Sequence, residues 1–136
     1  MSDSPFQLRK EQFLKALGQL KLAIDLHEGG PPMPEPEREM IRDSIIQRFE
    51  FTFELGWKSM QGWLKDHGIQ AAYPKQVLGE AFGAGLITDE TGWGQLLEAR
   101  NKTSHTYDPA KALEVVALVI AKGISLFDEL AAQLDK

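Results

Sequence analysis

Ile41-Arg42-Asp43-Ser44-Ile45-Ile46-Gln47-Arg48-Phe49-Glu50-Phe51-Thr52-Phe53-Glu54-Leu55-Gly56-Trp57-Lys58-Ser59-Met60-Gln61-Gly62-Trp63-Leu64 reads as one long helix whose sides separate. At about 100° per residue, Ile41, Ile45, Ile46, Phe49, Phe53, Trp57, Met60, Trp63 and Leu64 form a broad apolar face. Asp43, Gln47, Glu50, Glu54, Lys58, Gln61 and Lys65 fall in one polar stripe. Phe51 and Leu55 lie off the apolar face, one turn apart. Either a neighbouring helix of the same chain covers them, or they touch a second body.

The same period continues on both sides, and no segment alternates like a strand. A first helix is expected over about residues 5–27, with Pro5 in its first turn and Gly29-Gly30 stopping it. Residues 29–36 hold four prolines and two glycines and read as a loop. The long helix is expected over about 37–67, ending at Gly68. A short third helix over about 74–84 is weakened by Gly79, Gly83 and Gly85, so packing must hold it. A fourth covers about 90–104. The fifth begins with Asp108 as N-cap and Pro109 in its first turn, and runs to about 134. Its middle, residues 115–121, is apolar all round, the pattern of a helix at the centre of a bundle. Short loops between these elements imply an all-α, antiparallel up-and-down bundle of about five helices, resembling a four-helix bundle.

The chain has 136 residues, enough for one domain (1–136) around one core. An apolar fraction of 43% fits a folded protein. With no cysteine there are no disulfides, thiolate zinc sites or cysteine nucleophile. The polar start, Met1-Ser2-Asp3-Ser4-Pro5, lacks the features of a secretion signal, and no apolar run reaches the roughly 18 residues that span a bilayer. A cytoplasmic protein is expected. The net charge of −5 argues against a broad electrostatic grip on nucleic acid, though a local basic cleft is compatible with it.

Chemistry concentrates in Arg100-Asn101-Lys102-Thr103-Ser104-His105-Thr106-Tyr107, just before the turn at Asp108-Pro109. Arginine holds phosphate, and histidine moves protons near neutral pH. Arg100 follows Leu96 and Leu97 by four and three residues, so it projects into the apolar arc of its helix. There a guanidinium requires a partner: a carboxylate from another helix, or a phosphate in a partly open cleft. Asn101 and His105 are four apart and share a face if the helix persists. Arg100 and His105 are about 140° apart on an ideal helix, so a single copy does not bring them together without distortion. Two copies around a two-fold axis offer a composite cleft instead. Tyr107 either packs over the turn or stands exposed to a modifying enzyme. His27 and His67, near helix ends, read as caps. No phosphate-binding glycine loop and no histidine pair at metal-ligand spacing are present. Glu50 and Glu54 lack an accompanying Glu-x-x-His, so they read as solvated or as partners of Lys58 and Arg100.

The run from Arg100 to Tyr107 resembles the R-x4-H-x-Y form of the HEPN motif. The run from Arg42 to Lys58 resembles the second helix of the HepT-like proteins, also called nucleotidyltransferase substrate-binding proteins. Glu80-Ala81-Phe82-Gly83-Ala84-Gly85-Leu86-Ile87 is similar to the next segment of that family. The resemblance covers nearly the whole chain. It implies a helical bundle that forms a homodimer with the motif in an interface cleft, and a minimal nucleotidyltransferase as partner. It implies a metal-independent ribonuclease toxin without cofactor, in which Arg100 binds the scissile phosphate and His105 acts as general acid or base. Asn101 would orient the phosphate or imidazole, and Tyr107 would accept AMP from the nucleotidyltransferase. The other reading is a non-catalytic subunit that binds a nucleotide or presents a substrate to the nucleotidyltransferase. The acidic net charge favours that reading; the intact Arg100, Asn101, His105 and Tyr107 set favours RNA cleavage.

Overall fold

A computed structural model describes residues 4–103 and 108–136. Helix α1 spans Pro5–Gly29, α2 Glu35–Asp66, α3 Pro74–Gly83, α4 Glu90–Asn101 and α5 Pro109–Leu118. A π-helical segment, Val119–Gly123, joins α5 without a break to α6, Ile124–Leu134. Among the described residues there is no strand. The expected all-α bundle is therefore what forms.

Local signals explain the ends. The Ser4 hydroxyl accepts the Gln7 N–H at 3.2 Å, Asp89 accepts the Gly92 N–H at 2.8 Å, and Asp108 accepts the Ala110 N–H at 3.0 Å. These caps satisfy donors that the first helical turn leaves open. α2 starts two residues earlier than its periodicity suggested, because Pro36 fits a first turn, where no N–H is needed. At its other end Gly68 turns left-handed, φ 81°, and the Ile69 N–H returns to the Leu64 carbonyl at 2.8 Å. α1 likewise runs on to Gly29, which shortens the proline-rich connection.

α1 and α2 pack along each other as a long hairpin, and α4 and α6 close over α2. The centre is aromatic. Phe13 from α1 meets Phe127 from α6 edge-on at 6.0 Å between ring centres, and Trp93 from α4 meets the same ring edge-on at 5.6 Å. Phe49 and Phe53 from α2 complete the group. Gly56 lets the helices approach: a Cβ there would lie 3.3 Å from the Phe13 ring and 3.6 Å from Leu130. The buried hydroxyls of Thr52 and Ser59 donate to the Arg48 and Leu55 carbonyls at 2.7 and 2.8 Å, so neither is orphaned.

The apolar face expected on α2 is the face that is buried, with Ile41 and Trp63 half-buried at its margins. Off that face the two residues diverge. Leu55 packs partly against the core, whereas Phe51 keeps 57% of its surface exposed. The middle of the last helix also departs from expectation. Val115, Val116 and Val119 are buried, but Ala117 and Ala121 are exposed and Leu118 and Ile120 half-buried. It is a flank of the bundle rather than its centre. The π segment widens one turn and sets the buried Gly123 against Leu96 of α4. Among the described residues no helix is long and apolar enough to cross a membrane.

Candidate functional site

α4 buries Trp93, Leu96 and Ala99 and then delivers Arg100 in its last turn. Arg100 does not end in the apolar core. It reaches the edge of α2, where Nη2 donates to Glu54 Oε2 at 2.6 Å. Both side chains are about one-third exposed: 33% for Arg100 and 32% for Glu54. The carboxylate partner from another helix is therefore real. Arg100 Nη1 also donates to Asn101 Oδ1 at 3.3 Å, and the Thr103 hydroxyl donates to the Arg100 carbonyl at 2.8 Å, which closes the helix end.

Glu54 is held from its own helix as well. The Trp57 indole N–H donates to Oε2 at 3.0 Å, and Lys58 Nζ lies 3.2 Å from Oε1. Partial burial pushes the Glu54 carboxyl up. The hydrogen bonds from Trp57 and Lys58, with the charges of Arg100 and Lys58, outweigh this and hold it below its ordinary value. One carboxylate thus sits between two cations and an indole. The cluster carries one net positive charge, from Arg100, Lys58 and Glu54. A guanidinium has five N–H donors, and the contacts among the described residues use two. Among the described residues the other three meet no partner, and such a fork matches the geometry of a phosphate.

Of the residues singled out in the sequence, Arg100 and Asn101 are brought together. His105 and Tyr107 lie outside the described residues. Spacing left Glu50 and Glu54 either solvated or paired with Lys58 and Arg100, and Glu54 is the one that takes both partners. The contribution of Trp57 was not, because its ring belongs to the apolar face and only the indole edge turns to Glu54. Glu50 is half-buried on the same stripe and joins neither ion pair. His67 is the C-terminal cap of α2: its Nδ1 lies 2.8 Å from the Trp63 carbonyl and its ring stacks on Trp63 at 3.8 Å. Among the described residues no three His, Asp or Glu side chains cluster to hold a metal ion.

Two hollows lie on the helices that carry the cluster, and neither is lined by Arg100 or Glu54. A groove of about 220 Å³ between α4 and α5 is bordered by Glu98, Ala99, Lys102 and Glu114. A cavity of about 550 Å³ lies further along α2, bordered by Phe6, Arg9, Gln61, Lys65 and Ile69. Helical rise puts Lys65 about 16 Å beyond Glu54, so this cavity is separate from Arg100.

A sequence profile described as "Nucleotidyltransferase substrate binding protein like" matches residues 8–136. The chain belongs to this family. Among solved structures, the nucleotidyltransferase substrate-binding protein fold recurs in HI0074 of Haemophilus influenzae, with a TM-score of 0.84 and 30% identity. That similarity covers 93% of this chain and 99% of the other, which is described as showing the fold of a substrate-binding domain of a nucleotidyltransferase. A protein of Thermus thermophilus aligns with a TM-score of 0.77 and 30% identity over 91% of this chain and 99% of its own. A curated relative, "Probable ribonuclease HepT" of Haemophilus influenzae, is 43% identical over 91 residues. The match spans 63% of this chain and 62% of that protein.

Proposed function

We propose that this chain is the HEPN component of a two-protein module with a minimal nucleotidyltransferase, and that it cleaves RNA without a metal ion. The observation that carries this reading is the Arg100 guanidinium, seated on Glu54 and Asn101 with open donors, in the same short run of sequence as the remaining motif residues His105 and Tyr107. Membership of the substrate-binding family supports the association with a nucleotidyltransferase, and the name of the curated relative supports the chemistry.

RNA supplies its own nucleophile. Arg100 binds the non-bridging phosphate oxygens, with Asn101 orienting the phosphate or the imidazole. His105 takes the proton of the 2′-hydroxyl, O2′ attacks phosphorus, and the bond to O5′ breaks. The departing O5′ receives a proton, which leaves a 2′,3′-cyclic phosphate and a 5′-hydroxyl. Proton transfer of this kind contributes about 10²–10⁴-fold, and charge stabilisation by the arginine adds to it. A homodimer with the motif at its interface supplies a second histidine, which separates the acid and base roles. The uncovered Phe51 supports such a contact. Tyr107 is the control point: its phenol oxygen attacks the α-phosphate of ATP on the nucleotidyltransferase, pyrophosphate leaves, and the adduct blocks the cleft.

The net charge of −5 favours a second reading, a non-catalytic subunit presenting a nucleotide or substrate to its partner. Expression without the partner, beside His105→Ala and Arg100→Ala, separates the two. Growth arrest and RNA loss with the wild type only are expected. No arrest and no cleavage, with tight nucleotidyltransferase binding retained, would leave the subunit reading in place. Mass spectrometry after co-expression is expected to find an AMP adduct on Tyr107; an unmodified tyrosine removes that step.

A further inference from the structure

We propose that a single strand of RNA runs from Arg100 along the C-terminal half of α2 and is gripped a second time in the cavity bordered by Phe6, Arg9 and Lys65. This rests on the ribonuclease reading and adds a substrate-holding site outside the motif.

Charge is sorted along one stripe of α2. At about 100° per residue, Asp43, Glu50, Lys58, Gln61 and Lys65 all fall within about 40° of Glu54. On the N-terminal side of Glu54 the charges are acidic, Asp43 and Glu50; on the C-terminal side they are basic, Lys58 and Lys65. Arg9 joins the basic half from α1, where its Nη1 donates to Gln61 Oε1 at 3.4 Å. Glu54 balances Lys58, but neither Arg9 nor Lys65 joins an ion pair among the described residues. A polyanion held at Arg100 is therefore repelled one way along α2 and drawn the other, although the whole chain carries −5.

The basic half ends in a built hollow. Its volume of about 550 Å³ falls among those of small-ligand sites, about 300–1,000 Å³, and admits a base with its ribose. Of its charged lining residues, Arg9 and Lys65 outnumber Asp66. Phe6 adds an aromatic ring, and Gly62 lets it lie close on α2: a Cβ there would stand 3.3 Å from Phe6 Cδ1. Gln61 also donates to the Ala71 carbonyl at 2.9 Å, which ties the loop after α2 to the cavity wall. Cations along a backbone path, beside a ring on which a base stacks, suit a single strand of any sequence. The rise from Glu54 to Lys65 is about 16 Å, or about five nucleotides at a stacked spacing of about 3.4 Å.

The test reads binding, so it does not depend on cleavage. The probe is a fluorescein-labelled oligouridine of about twelve nucleotides, within the site sizes of single-strand binders. Its riboses are 2′-O-methylated, which removes the nucleophile. Fluorescence anisotropy over a salt series compares wild type, Lys65→Gln, Arg9→Gln and the double variant. Each lost phosphate contact is expected to flatten the slope of log affinity against log salt by about 0.7, and to weaken binding about fivefold at about 0.1 M salt. Arg100→Ala added to Lys65→Gln is expected to remove both contacts on this probe. On a probe of about three nucleotides, too short to span the two places, the losses do not combine. Lys15→Gln removes the same charge from an exposed position of α1 outside the cavity, and is expected to keep the wild-type slope.

A wild-type slope in the double variant overturns the proposal, and so does an equal flattening in Lys15→Gln, which would assign the effect to net charge. Unchanged RNA binding with lost nucleotidyltransferase binding in the double variant would give this face to the protein partner and also overturn it. Far-UV circular dichroism accompanies each variant; where Arg9→Gln loses helix, the exposed and unpaired Lys65 carries the test alone. A wild type that binds the probe as expected yet leaves RNA intact ends the ribonuclease reading and keeps the second grip. Cleavage by the wild type with unaltered slopes in the variants does the reverse.

Discussion

Phe53 and Glu54 are neighbours in sequence and belong to different parts of the molecule. Phe53 is fully buried against Trp93 and Phe49. Glu54, rotated by about 100° on the same helix, stands at the edge of the core and meets Arg100, Trp57 and Lys58. The first position is one of many that cooperate in a single packed cluster. The second gathers a few polar groups whose value lies in orientation. Helix α2 therefore serves both as the spine of the fold and as one wall of the candidate site, and the two duties respond differently to substitution.

The largest expected effect is on the packed side. Phe127→Ala removes the ring that Phe13, Phe49 and Trp93 share. It should cost about 3–5 kcal/mol of stability by chemical denaturation. A loss under 1 kcal/mol would mean that the aromatic cluster does not hold the helices together. On the polar edge the order is reversed. Arg100→Ala should lower RNA cleavage by about 10²-fold or more yet change unfolding by no more than about 1 kcal/mol, because Glu54 keeps Trp57 and Lys58 as partners. Equal losses of stability and activity would erase the distinction between the two sides.

Smaller effects sharpen it. Phe51→Glu should leave stability within about 0.5 kcal/mol, since the ring is mostly exposed. It should also convert the proposed homodimer to monomer in light scattering; a wild type that is already monomeric, or an assembly that the substitution leaves unchanged, would contradict a dimer contact at Phe51. The smallest effect is the acid response of Glu54. Its carboxyl titrates below the ordinary value of 4.5 in the folded protein. Its contribution to stability is therefore present above the unfolded value and lost as pH falls through the folded one. The melting-temperature difference between wild type and Glu54→Gln should shrink as pH drops below about 4.5. A difference that grows there would contradict the arrangement.

Most of the fold was legible because burial repeats with the helical period. The nine residues assigned to the apolar face of α2 are buried or half-buried, and Asp108 and the N-terminal prolines announce helix starts. What the period missed has a physical cause. An apolar run does not distinguish a central helix from a flanking one, and Ala117 and Ala121 proved small enough to leave exposed. Nor does the hydrophobic pattern reveal a π-helical turn set by packing at Gly123. For the site, spacing pointed to an inward Arg100 in need of a carboxylate or a phosphate, and Glu54 stood among the candidate carboxylates. That Trp57 also donates to Glu54 required three dimensions, because one side chain serves the core with its ring and the ion pair with its edge.

Arg100 and His105 are proposed to form an RNA-cleaving site. The most direct measurement incubates purified wild-type protein, His105→Ala and Arg100→Ala with a defined single-stranded RNA and analyses the ends produced. Cleavage by the wild type alone, leaving 2′,3′-cyclic phosphate and 5′-hydroxyl ends, is predicted. Intact RNA with the wild type, or the same cleavage in both variants, would contradict it.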